Sequence, residues 1–246
     1  MNHSSLMVWL LAATASFGCG GGGSSSATEV LDAKPVIPDP TPVIPSTSIT
    51  LSQINANASG FAAFLNDIDA GEDLSEIPQL DSVATLQARG NATYEGAFYV
   101  FSNSARVDGF VGNAAISIGF SDPRNPSVVG GADGFIYVDG PELADIVGSN
   151  DISALPNDTP IFAVNGNVTF SNGELANTAG VATAAFNMAG NLSANTGGGI
   201  TQSVDVGGAM AVLFDGDRAF GAGGDTSDSA FQLEHPEAFF FGVADR

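Results

Sequence analysis

One residue stands in surroundings that suggest covalent chemistry: Cys19, the single cysteine of 246 residues. With no second cysteine it cannot form an intramolecular disulfide. The run Ser16-Phe17-Gly18-Cys19 is similar to a bacterial lipobox, in which the cysteine after a small residue is lipidated and becomes the mature terminus. A competing A-x-A cut at Ala13-Thr14-Ala15 stays open. Elsewhere the reactive inventory is thin. His235, followed by Pro236, is the only histidine outside the leader, so no two-histidine metal site forms and a Ser-His-Asp arrangement has a single candidate base. As a haem ligand His235 would need Tyr94, Tyr99, Tyr137, Met188 or Met210 opposite it, and the spacing selects none of them. Asp215, Asp217 and Asp225 among glycines hint at a calcium loop, but turn chemistry accounts for Asp215-Gly216 without a cation. Glu234 and Glu237 form no pattern that sets them across a cleft. The expectation is therefore no catalytic set, no metal site and no resident cofactor, with haem and calcium as the alternatives.

The segments around Cys19 fit a tethered protein. Residues 1–18 read as a signal peptide: an uncharged start, an apolar run from Leu6 to Ala15, then small residues. Such a run is too short to span a bilayer as a mature helix. Gly20 after the cysteine, rather than Asp, is compatible with transfer to the bacterial outer membrane or cell surface. Residues 19–49 read as a disordered tether, Gly/Ser-rich at first and then carrying the echo Pro35-Val36-Ile37-Pro38 and Pro42-Val43-Ile44-Pro45. Pro-rich linkers stay extended, which holds a domain clear of the lipid.

Composition narrows the partners. The chain has 27 acidic against 6 basic residues, a formal charge of −21, and Lys34 is its only lysine. Nucleic acid is excluded as a partner, because phosphate contacts need clustered Lys and Arg. The 31 glycines argue against helix bundles and for turns and packed strands.

Two-residue alternation dominates from Gly90 onward. Before it, Leu51, Ile54, Phe61, Phe64, Leu65 and Ile68 recur at three and four, so residues 50–82 are expected to hold a helix and an acidic loop. Thr50 and Gln53 form a capping-box pair, Gly71 suits the helix end, and Gly60 weakens the interior. The helix could plug or flank the strand-rich domain. Residues 83–246 are expected to form a β-barrel domain, with strand signals starting after Asp81. Strands are read over Ala92–Phe101, around Ile116–Phe120, over Val128–Val138, as one run Phe162–Phe170, at Ala182–Leu192, as one run Val204–Phe214, at Arg218–Gly223 and over Ala238–Ala244. Pro141–Val147 reads as a helical turn, and Asn172-Gly173 and Asp215-Gly216 as hairpin turns. Tyr94 and Tyr99 lie on opposite faces of the first strand, so only one can point inside. The fold class is all-β: an antiparallel β-barrel of about eight strands, preceded by a short helix and a disordered tether. A transmembrane barrel is disfavoured by Asn165, Asn167 and Thr169 on one strand face.

The motifs also resemble a known family. Gly90-Asn91-Ala92-Thr93-Tyr94-Glu95-Gly96-Ala97-Phe98-Tyr99 is similar to the opening strand of the barrel domain of the transferrin-binding protein B group of surface lipoproteins. Val168 to Leu175 looks like a hairpin of that domain, and Val206–Met210, Phe220–Gly224 and Phe240–Ala244 look like its Gly-rich closing strands. The likeness spans Val83 to Arg246 and implies a barrel that presents loops to a protein or haem ligand in nutrient capture. The chain departs from it in having one lobe and little room for a handle domain. The expected function is a non-enzymatic lipoprotein, held to the membrane by its lipid, that binds an unidentified protein or small solute of the iron-carrier or haem class through Asp139–Thr159 and Gly197–Gln202. The alternative is a structural or adhesive envelope protein, assisted by calcium. If the barrel were hollow, Tyr94, Phe98, Met188 and Met210 would be candidates to line its cavity.

Overall fold

The structure, a computed structural model, describes residues 41–67, 80–101, 109–139, 155–224 and 238–245. Among these residues two helices, α1 (Leu51–Asp67) and α2 (Val83–Arg89), precede ten strands. These are β1 (Ala92–Phe101), β2 (Gly109–Gly119), β3 (Ser127–Val138), β4 (Ile161–Asn165), β5 (Val168–Thr178), β6 (Val181–Gly197), β7 (Ile200–Val206), β8 (Ala209–Asp215), β9 (Arg218–Gly224) and β10 (Ala238–Asp245). Every pairing is antiparallel, and β1 pairs with β2 on one edge and β10 on the other, so the sheet closes into a ring.

The ten segments fill eight places around that ring, because two places are each held by a broken pair. β4 and β5 lie end to end between β3 and β6. The break is at Gly166, whose φ of +114° takes the chain off the strand path where a Cβ would overlap the Asn191 carbonyl. β7 and β8 likewise run in one register along β6, Val206 opposite Gly190 and Ala209 opposite Asn187, with Gly207-Gly208 between them. The single runs expected at Phe162–Phe170 and Val204–Phe214 are thus each two strands sharing one ribbon. Asn172-Gly173 is no hairpin turn. It sits inside β5 as a bulge between Ser171 and Glu174, and Asn172 has a positive φ of 53°. The reversal comes at Ala179-Gly180, both with positive φ, where the Asn177 side chain accepts from the Gly180 amide at 2.8 Å.

Strand parity divides the side chains into two cores. Inside the ring, Phe98, Phe170 and Phe186 meet at the centre, with Phe170 stacked on Phe186 at 4.6 Å and 5.5 Å from Phe98. Such pairs add about 0.5–1.5 kcal/mol beyond the area they bury. Tyr94, Met188 and Met210 are also fully packed there, so this barrel is filled by its own side chains. Outside, an apolar wall on β8, β9, β10 and β1, including Leu213, Phe220, Phe239, Phe241 and Tyr99, is buried beneath Ile54, Ala58 and Phe61 of α1. The opposite wall is polar and exposed: Thr169 and Ser171 on β5, Asn187, Asn191 and Asn195 on β6, Thr201, Ser203 and Asp205 on β7.

The two helices arise differently. α1 begins at the capping box, where the Thr50 amide donates to Gln53 Oε1 at 2.9 Å and the Gln53 amide to Thr50 Oγ1 at 3.3 Å. Gly60 lies against the barrel wall, where a Cβ would come 2.7 Å from the Phe241 ring. α2 falls within the stretch assigned to the barrel domain, just ahead of the first expected strand. Ser82 caps its start by accepting from the Thr85 amide, and Gly90 closes its end.

The last part of the segment expected to be a free tether is docked. Ile49 is buried and its amide donates to the Gly134 carbonyl at 2.8 Å, while Asn113 Nδ2 donates to the Thr47 carbonyl at 2.9 Å. The leader, Cys19, Gly71, the Pro141–Val147 turn, Asp225, Glu234, His235 and Glu237 lie outside the described residues.

Candidate functional site

Strand direction separates the two ends of the barrel. At one end the connections between neighbouring strands are short: Ala179-Gly180, Gly216-Asp217 and residues 120–126. At the other end lie the 102–108, 139–160 and 225–237 connections and the tip of the β6–β7 hairpin. Asp139–Thr159 and Gly197–Gln202, far apart in sequence, therefore leave from the same rim.

The short-loop end is stoppered by α2. Leu86 projects from it into the interior cluster and is buried. Asp81, 5% exposed, fixes the stopper in place. It pairs with Arg89 and accepts from the Gly216 amide at 2.9 Å, while its own backbone donates to Phe214 and accepts from Ala182 at 2.8 and 2.7 Å. Burial raises the Asp81 pKa and outweighs the lowering by Arg89 and by the Gly216 amide; Asp215 adds to the rise. Between α2 and the rim is a space of about 30 Å³, lined by Leu86, Arg89, Asn91, Tyr94 and Phe120 among others. That holds a water molecule or two and not a haem.

The long-loop end is positioned by α1. Asn55 and Asn57 flank its apolar stripe and each takes hold of a main-chain group. Asn55 reads both polar groups of Leu155, donating to its carbonyl at 3.1 Å and accepting from its amide at 2.8 Å. This pins the returning limb of the 139–160 connection, whose base is closed by the Asp139 amide donating to the Pro160 carbonyl at 3.3 Å. Asn57 donates to the Phe241 carbonyl at 2.9 Å and accepts from the Tyr99 hydroxyl at 3.0 Å. Burial pushes the Tyr99 phenol well above its usual pKa, which keeps it a neutral donor. Two exposed aliphatic residues, Ile161 and Ile200, begin strands at this rim.

The residues considered for haem are thus distributed without a shared opening. Tyr94, Tyr137, Met188 and Met210 belong to the interior core, whereas Tyr99 is buried on the outside under α1. Phe98, a candidate cavity-lining residue, packs against Phe135 and Phe170 instead. Asp215 pairs with Arg218 across the Gly216 turn, and the Asp217 carbonyl accepts from the Ala244 amide of β10 at 2.6 Å. Among the described residues no three His, Cys, Asp or Glu side chains gather as a metal group. Sequence reasoning missed Asp81, Arg89, Asn55 and Asn57. Asn55 and Asn57 in the first turns of a helical pattern were the available signal, since Asn is a poor helix former that often bonds to main chain. Compared with protein-family models, curated proteins and solved structures, the chain matches none.

Proposed function

We propose that this protein is a non-enzymatic, lipid-anchored binding protein of the bacterial outer membrane or cell surface, which captures a protein or small-solute ligand of the iron-carrier or haem class with the loops of one barrel end. The observation that carries the reading is a closed, side-chain-filled ring, stoppered by α2, whose two longest connections, 139–160 and 225–237, leave from the opposite rim. A filled interior leaves the loops as the recognition surface. The likeness of the Gly90–Tyr99, Val168–Leu175 and closing-strand motifs to the transferrin-binding protein B group supports the ligand class. Cys19 supports the anchor.

Immobilised protein beginning at Ala27 tests capture when challenged in turn with haem, iron-carrier proteins and a host-serum mixture. Replacing residues 140–154 with a short Gly/Ser linker should abolish retention, with folding of the variant checked by its melting transition. No retained ligand in any arm would sink the reading. The anchor is tested by palmitate labelling of the full chain, which Cys19→Ala should eliminate.

A further inference from the structure

We propose that β7 is a docking edge, on which an extended basic peptide adds as a further strand. Among the described residues β7 pairs with β6 alone. The described part of β9 pairs with β8 as far as Gly224, opposite Ala209. Among the described residues nothing pairs with the second edge of β7, the arrangement that accepts an added strand. Its sequence, Ile200-Thr201-Gln202-Ser203-Val204-Asp205-Val206, has no proline or lysine, two devices with which sheet edges are blunted, and β-branched residues hold four of its seven positions.

The two faces of β7 specify the occupant. On one face Ile200 is 59% exposed, Gln202 and Val204 are half-buried and Val206 is buried, so apolar side chains of the peptide fit opposite Ile200 and Val204. On the other, Thr201, Ser203 and Asp205 are exposed, and the β4 to β7 wall carries no Lys or Arg. With a formal chain charge of −21, a cationic peptide is attracted here and a second copy of this chain repelled. Strand addition uses the main-chain edge of residues 200–206, which starts at the rim the loops share, so replacing residues 140–154 and N-methylating the peptide test the two readings separately.

The test uses the full chain and an eight-residue peptide of alternating valine and lysine, read by amide hydrogen exchange and calorimetry. Exchange over residues 200–206 should slow on adding the peptide, and neither the valine/glutamate analogue nor a backbone N-methylated copy should produce the effect. Ser203→Lys, an exposed change that leaves the fold intact, should weaken binding roughly tenfold or more by placing a like charge on the edge. Absence of slowing at millimolar peptide would overturn the proposal. So would equal binding of the N-methylated copy, which would assign the contact to side chains. Strong protection of 200–206 before peptide is added, independent of concentration, would put the chain's own residues on the edge, and concentration-dependent protection a second copy; either outcome also refutes it.

Discussion

Asp81 ties a short helix to two strand ends while carrying a charge that burial opposes. Its raised pKa sets the sign: the stability it contributes is full below the ordinary carboxylate range and is lost as pH rises through its folded pKa. Asp81→Asn keeps an acceptor for the Gly216 amide and removes the charge. In urea titrations the stability of wild type minus variant should therefore be larger in acid than at neutrality, and a pH-independent difference would contradict the assignment. Asn57 acts without charge. Asn57→Ala strips partners from the buried Tyr99 hydroxyl and the Phe241 carbonyl, and should cost about 1–3 kcal/mol. Asn57 was not legible as a site residue, because its partners lie 42 and 184 positions away and only the folded chain brings them near.

At the scale of elements, α1 is a cover and α2 a stopper. Phe61 stacks on Phe220 at 5.1 Å and lies 6.0 Å from Phe241, so Phe61→Ala should cost about 3–5 kcal/mol in chemical denaturation and expose the aromatic wall to a hydrophobic dye. Leu86→Ala should cost about 2–5 kcal/mol. The two helices were not equally readable. α1 carries a repeating apolar stripe and a capping box, both local signals. α2 spans seven residues, too few to display a helical period, and isolated helices of that length are unstable in water. Its stability comes from Leu86 in the barrel end and the Asp81–Arg89 pair, neither of which is local to a pattern.

For the whole molecule, the wall opposite α1 is lined with Asn, Ser and Thr, so the chain beginning at Ala27 should refold cooperatively in detergent-free buffer. Starting instead at Thr50 removes the buried Ile49 side chain and its hydrogen-bonded neighbours, and should lower stability by about 2–4 kcal/mol in the same titrations. The sequence by itself determined what depends on neighbours along the chain: the all-β class, the parity that sends Phe98, Phe186 and Met210 inward, the α1 cap and the Gly216 turn. Tertiary structure decided what depends on distant strands. Asn172 adopts the positive φ its type favours, yet the pairing of β5 with β3 and β6 on both sides turns that kink into a bulge instead of a reversal. Tyr99 faces away from the interior, as alternation requires, and is buried all the same because a helix some forty residues earlier folds back over it. Alternation fixes which face of a strand a side chain takes, and only the packing of the remaining chain fixes whether that face meets water.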